Sequence, residues 1–212
     1  MQIEIISHIS TPRLDLRLLS VDHAPLSVEA RIESFAHLKK WDIFAPEPSA
    51  DIITLADEVK MCAWRIERIQ QRESLFYSLF RREDKRFLGT VSLTKCDWNT
   101  KKAMLGFWLR VSETGKGYAT EAAKALVTYG LSDLGLNLYS MHASGNHNSQ
   151  AVLLKVGFQC VGIDEACHHL PGGHVVDEVH YELKGHEERC CGGLSSGSCI
   201  RLTPTTMPAT II

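Results

Sequence analysis

The 212-residue chain is expected to fold as an α+β domain, with a mixed and mostly antiparallel sheet of about seven strands flanked by helices. Three features of the sequence lead there. Period-two apolar segments separated by polar turns recur between Leu14 and Leu183; three of them follow one another in quick succession; and at Gly117 the apolar period changes from two to 3.6.

The elements follow in order. Leu14, Leu16 and Leu18 alternate with Arg13, Asp15 and Arg17, as a strand with one wet face requires. From Asp22 to Lys40 apolar residues recur at helical intervals, and Pro46-Glu-Pro48 breaks whatever helix precedes it. A second helix is expected from about Asp51, with Ile52, Leu55, Ala56, Val59, Ala63, Ile66 and Ile69 on its inward face and Asp57, Glu58, Lys60, Glu67 and Arg68 largely off it. Strands over 74–81, 86–95 and 101–110, joined by Arg82-Glu-Asp-Lys85 and Asp97-Trp-Asn-Thr100, form an antiparallel meander. Tyr118, Ala122, Ala125, Leu126 and Tyr129 stripe a helix that ends near Gly135. A strand over 138–143, a short helix over 148–156 closed by Gly157, and strands over 158–168 and 175–183 around Pro171-Gly-Gly173 complete the domain.

One domain therefore spans residues 1–185. Beyond it the Gly/Ser/Thr/Pro-rich stretch 186–212 reads as a disordered or weakly packed tail. With 23 Lys and Arg against 25 Asp and Glu there is no overall basic field to track a phosphate backbone, so nucleic acid is not an expected partner. No stretch reaches the roughly 18 apolar residues of a membrane helix, and the first ten residues carry no secretory signature; a cytoplasmic location is expected. The seven cysteines are scattered and odd in number, and read as thiols, Cys160 as a small packed one. Cys190, Cys191 and Cys199 with His186 invite zinc, and Cys160 and Cys167 with His168 and His169 invite a Cys/His nucleophile or metal reading, but no C-x-x-C pair supports the first and no metal is expected.

The segment that carries chemistry is Glu113-Thr-Gly-Lys-Gly-Tyr-Ala-Thr-Glu121, which leads from a strand into a helix start. Glycines let the chain turn tightly and approach a phosphate, and the free N–H groups of a helix start point at it. Lys116 can add charge and Thr120 a hydrogen bond. Neither a nucleotide-triphosphatase loop nor a dinucleotide fingerprint fits: Gly117 follows Gly115-Lys116 where Ser or Thr is needed, and Thr120 stands where a third glycine belongs. Taken alone, the segment also suits a tight turn that binds nothing.

Read together, Leu105-Gly-Phe-Trp-Leu-Arg110, Gly115-Lys-Gly-Tyr-Ala-Thr-Glu-Ala122, Asn146-His-Asn-Ser149, Lys155-Val-Gly-Phe158 and Asp177-Glu-Val-His-Tyr181 resemble the GCN5-related N-acetyltransferases (GNAT), most closely their RimJ/RimL-like ribosomal-protein branch, over about residues 11–184. The resemblance implies that the fourth and fifth expected strands, 101–110 and 138–143, splay apart to admit the pantetheine of acetyl-CoA. It carries the family's pyrophosphate loop, [QR]-x-x-G-x-[GA], onto Thr114-Gly-Lys-Gly-Tyr-Ala119, with Thr114 departing from the usual Gln or Arg. The backbone from Gly115 through Lys116, Gly117, Tyr118 and Ala119 to Thr120 then binds the diphosphate. Trp108, Leu109 and Arg110 meet the pantetheine and thioester, and Asn146 contacts the cofactor arm.

In the family's reaction an amine attacks the thioester directly, so the site must supply a neutral amine, a donor to the oxyanion and a proton for the leaving thiolate. Many relatives use a Tyr for the last task; here its place is Leu153, and Ser149 is the substitute, although a Ser near a helix start is also an ordinary cap. An α-amino group, with a pKa near 7.7–8.0, is roughly a tenth neutral at pH 7, against about one lysine in 2,500, so the lack of an obvious carboxylate base favours an α-amine. His168, His169 and Glu113 are the base candidates, although each is better suited to a solvated surface position, and Trp41 either walls the acceptor side or belongs to the core. The expected activity is acetyl transfer from acetyl-CoA to a primary amine, a protein N-terminal α-amine ahead of a small-molecule amine, by a monomer or homodimer. A module that holds the cofactor without turnover is the competing reading.

Overall fold

The computed structural model describes residues 4–41, 49–50, 53–170 and 173–183. The Pro46 and Pro48 break, part of the Pro171 turn, the tail from residue 186 and its Cys190, Cys191, Cys199 and His186 lie outside the described residues. In chain order the elements are β1 (His8–Ser10), β2 (Leu14–Leu18), α1 (Ala24–Lys39), α2 (Leu55–Gln70), β3 (Leu75–Arg81), β4 (Phe87–Asp97), β5 (Lys102–Leu109), α3 (Tyr118–Thr128), β6 (Asn137–Ala143), α4 (His147–Val156), β7 (Gln159–His169) and β8 (Val175–Leu183).

These strands form one sheet in the order β1-β2-β3-β4-β5-β6-β8-β7, eight among the described residues rather than about seven. The extra strand is β1, three residues paired to β2 and too short for its alternation to stand out in sequence. Every neighbouring pair is antiparallel except β5 and β6, which run parallel.

Side chains alternate across each strand, which gives the sheet two dressed faces. Tyr77 and Leu79 of β3 and Leu93 of β4 join Ala122 and Leu126 of α3 in the main core, whereas Phe80 and Phe87 pack with Ala30 and Leu38 of α1 and Trp108 of β5. Helices α3 and α4 therefore cover one face and α1 and α2 the other. Successive β5 residues serve both, Leu109 entering the first cluster and Trp108 the second.

One helix and one cysteine depart from the expected pattern. Thr54 caps α2, its hydroxyl accepting from Asp57 N at 3.1 Å, so the helix begins at Leu55. Its inward face is also rotated: Leu55 is 48% exposed, while Glu58 is 1% exposed and receives Ser27 Oγ at 2.8 Å and the Arg31 guanidinium of α1. A hydrophobicity count reads Glu58 as outward; buried pairing with Arg31 overrides it. Cys160 is disulfide-bonded, which corrects its reading as a thiol, whereas Cys62, Cys96 and Cys167 are free.

Candidate active site

The site begins where the sheet comes apart. Strands β5 and β6 pair only through Lys102–Asn137, Ala103–Leu138 and Met104–Tyr139, although β5 runs on to Leu109 and β6 to Ala143. At the next step Ser140 Oγ donates to the Leu105 carbonyl at 2.9 Å, a side chain standing where a further ladder bond would form. Beyond it the strands part.

On its other side β5 is held close to β4 at Gly89. A Cβ there would lie 2.1 Å from the Trp108 carbonyl oxygen and 2.9 Å from Leu109 Cα, and its φ of +148° is open to glycine alone. Gly89 pairs with Leu109 beside a register shift between β3 and β4, so β4 and β5 approach at a spacing no other residue permits. The sequence signal was a lone glycine within a strand pattern.

After β5 the chain makes a short 3₁₀ turn (Val111–Glu113) and reaches the glycine loop. Gly115 and Gly117 both take positive φ, +77° and +83°, and Gly117 is the residue from which α3 starts. The first intrahelical bond runs from Glu121 N to the Gly117 carbonyl at 3.0 Å, so the N–H groups of Tyr118, Ala119 and Thr120 precede the helical ladder. Thr114 Oγ1 turns back to the Val111 carbonyl at 2.8 Å. The loop is braced from β2's side: Arg13 donates to the Lys116 carbonyl at 3.0 Å and to Glu121 Oε2 at 2.6 Å, and its guanidinium lies over the Tyr118 ring.

On the other arm, Asn146 caps α4, its Oδ1 accepting from Ser149 N at 3.2 Å. Capping thus falls to Asn146 and not to Ser149. Leu153, in the place of the family Tyr, is buried in the core.

These pieces enclose a cavity of about 220 Å³. Trp108, Leu109, Gly115, Gly117, Tyr118, Ala119, Thr120, Asn146 and Ser149 line it, joined by Asn148, Ala151, Val152 and Lys155 of α4 and by His37, Leu38 and Trp41 at the end of α1. Its walls come from both faces of the sheet, so the opening passes through the split between β5 and β6. Trp41 stands on the α1 side of it.

Other residues singled out in the sequence sit elsewhere. Arg110 is buried, and its guanidinium holds Glu29 and Glu33 of α1 at 2.7 Å each and the Phe87 carbonyl at 3.2 Å, tying α1 to the end of β5. The Lys116 ammonium pairs with Glu113 at 2.9 Å, and Glu113 is itself buried against Arg81 and Arg86, which removes it from the base candidates. His168 bonds Glu178 on the β7–β8 ribbon at 3.2 Å; neither it nor His169 lines the cavity. Near the split, His142 Nε2 lies 3.2 Å from the Tyr181 hydroxyl and Nδ1 2.9 Å from the Ala143 carbonyl; burial pushes its pKa below the usual value, so Tyr181 donates to a neutral ring.

A sheet opened between two parallel strands, with a glycine turn and a helix start at the mouth, defines a protein that threads a long phosphorylated cofactor arm through its core. The chain belongs to the GNAT acetyltransferases, enzymes that move an acetyl group from acetyl-CoA: the family model described as "Acetyltransferase (GNAT) domain" matches residues 13–159. YdaF of Bacillus subtilis (strain 168), named provisionally as a ribosomal N-acetyltransferase, is 31% identical over 176 residues, 82% of this chain and 92% of its own. Two solved structures share the fold. RimL, a ribosomal alpha-N-protein acetyltransferase in complex with coenzyme A, superposes with a TM-score of 0.73 at 21% identity, covering 82% of this chain and 96% of its own. RimJ of Mycobacterium smegmatis in complex with a CoA-disulfide gives 0.76 at 20% identity, covering 82% and 83%.

Proposed function

We propose that this acetyltransferase transfers the acetyl group of acetyl-CoA to a primary α-amine at a protein N-terminus, in the cytoplasm, where acetyl-CoA and nascent chains are both available. One observation carries the reading: the cavity through the split sheet joins the glycine turn and helix start of α3 on one side to an aromatic wall, Trp41 and Trp108, on the other.

The diphosphate lies against the N–H groups between Gly115 and Thr120, and the pantetheine runs along Leu109 toward the opening of the split, its amides pairing with the β5 backbone that β6 has left. The thioester carbonyl then faces backbone N–H near Leu109, which stabilises the charge that develops on its oxygen. Nitrogen attacks the carbonyl carbon, the C–N bond forms and the C–S bond breaks; the thiolate takes the Ser149 hydroxyl proton as that hydroxyl recovers one from the nitrogen, so Ser149 ends unchanged. Among the described lining residues there is no Asp or Glu. A site without a carboxylate base serves an α-amine, which is near its own pKa at neutral pH, far better than a lysine side chain. The names of YdaF and RimL, a ribosomal N-acetyltransferase and a ribosomal alpha-N-protein acetyltransferase, support the same acceptor class.

Calorimetry with acetyl-CoA, followed by thiol release with peptides bearing a free N-terminal Ser or Ala, tests this. Binding with turnover on the free peptides and none on their N-acetylated forms is expected. Turnover on polyamines or aminoglycosides instead would move the acceptor to small molecules, and binding without any thiol release would favour a module that only holds the cofactor.

A further inference from the structure

We infer that His37 is the proton acceptor for the incoming amine, an assignment that rests on the acetyltransferase reading above and adds to it the residue that deprotonates the nucleophile. His37 lies on the last turn of α1, half-buried, and belongs to the cavity wall together with Leu38 and Trp41. That wall faces the opening from the α1 side of the sheet, whereas the glycine loop and α4 border it from the other. A cofactor entering by the helix start of α3 leaves the α1 side for the acceptor.

The chemistry of the wall selects the residue. Its other titratable or charged side chains, among those described, are Tyr118 from α3 and Lys155 from α4, and β5 contributes only Phe107, Trp108 and Leu109. A phenol and an ammonium are both protonated near neutrality, and an imidazole is the one group there that ordinarily accepts a proton. On α1 itself, Glu33 is occupied by Arg110 at 2.7 Å and Ser112 at 2.6 Å. The His37 ring makes no hydrogen bond or ion pair among the described residues, so neither nitrogen is taken by a partner there. By contrast His168 and His180 are engaged by Glu178 and Asp164 on the β7–β8 ribbon.

The proton count closes. An acceptor arriving as an ammonium loses one proton to His37, which returns it to water; the freed lone pair forms the C–N bond as the C–S pair leaves with coenzyme A. The second proton lost by nitrogen as the amide forms balances the one the thiol gains. Because an imidazole lies within about two units of an α-ammonium but about four from a lysine, this base also restricts the enzyme to low-pKa amines.

The test compares wild type, His37→Gln and His37→Ala with acetyl-CoA and a peptide bearing a free N-terminal serine. Loss of the base should lower kcat/KM at pH 7 on the order of 10- to 100-fold in both variants, with the calorimetric Kd for acetyl-CoA unchanged. The acid limb of the wild-type pH profile should disappear in His37→Gln, and added imidazole should restore turnover to His37→Ala, which a packing role does not explain. Wild-type rates and an unaltered profile in His37→Gln overturn the assignment while leaving the acetyltransferase intact. A wild type that binds no acetyl-CoA and releases no thiol overturns the reading beneath it, and the assignment with it.

Discussion

The guanidinium of Arg13 and the carboxylate of Glu121, 108 residues apart in sequence, meet at 2.6 Å and together fasten the glycine loop to the edge of the sheet. Arg13 also holds the Lys116 carbonyl, and a Cβ on Gly117 would approach its Nη2 at 3.4 Å. This arginine, from another part of the chain, braces a loop whose first family position is Thr114. Arg13→Ala should weaken acetyl-CoA binding about three- to tenfold, a modest loss because the guanidinium is half exposed and screened. Calorimetry decides it, and an unchanged Kd would limit Arg13 to bracing.

The same pair sets an acid limit on the fold. Burial alone would raise the Glu121 pKa, but hydrogen bonds from Thr11 and from the Arg13 backbone and side chain outweigh it and hold the carboxyl below its usual value of 4.5. The unfolded chain therefore takes up this proton at a higher pH than the folded one, so the stabilisation is complete above the ordinary carboxylate range and is lost as pH falls through the folded value. Glu121→Gln should melt below wild type at pH 7, with the gap closing as pH falls below the ordinary carboxylate range. Thermal melts across that range check it; a gap independent of pH would mean that charge is not what the pair contributes.

Gly89 ties the architecture to the chemistry. Alanine there meets the Trp108 carbonyl at 2.1 Å, and rigid backbone cannot yield as a side chain end can. Gly89→Ala should cost about 2–4 kcal/mol in urea unfolding. It should also weaken acetyl-CoA binding, because relief of the clash moves β5 at Trp108 and Leu109, which line the cavity. Stability lost with an unchanged Kd would separate the strand contact from the site.

At Gly117 the proposed contact with the diphosphate is made by backbone alone. Its φ of +83° costs a β-branched residue about 1–2 kcal/mol or more, and Cγ atoms would fill the approach to the loop. Gly117→Val should raise the acetyl-CoA Kd at least tenfold. A Cβ on Gly115 would meet nothing within 4 Å, so Gly115→Ala should act through φ strain alone and cost less. Calorimetry on the two variants ranks them, and equal losses would mean that crowding at Gly117 is not what blocks the cofactor.

How much of this was legible follows from what kind of interaction each feature depends on. Strand β8 falls on residues 175–183 as read from alternation, and the glycine loop, Asn146 and Ser149 converge on one cavity because local chain geometry and motif spacing encode them. Glu58 was misplaced because its burial depends on Arg31, a partner on another helix that no periodicity reports. Gly89, Arg13 and His37 were missed for the same reason: a close approach to β5, a loop brace and a cavity wall exist only once distant segments meet. Arg110 carried a motif position yet spends its side chain on Glu29 and Glu33, since a buried guanidinium must find its carboxylates wherever the fold puts them.

The proton for the leaving thiolate gives the sharpest test of the arm formed by α4. Asn146 already satisfies the helix start through Ser149 N, which leaves the Ser149 hydroxyl on the cavity wall with no capping duty, and the phenol used elsewhere in the family is replaced by buried Leu153. If Ser149 delivers the proton, Ser149→Ala should lower kcat about 10- to 100-fold while the acetyl-CoA Kd stays within about threefold. Asn146→Ala should behave differently, losing the cap and about 0.5–2 kcal/mol of stability. Single-turnover thiol release and urea melts on the two variants separate the roles: equal kcat in wild type and Ser149→Ala would remove the hydroxyl from the chemistry, and a stability loss in Ser149→Ala as large as that in Asn146→Ala would return it to the helix.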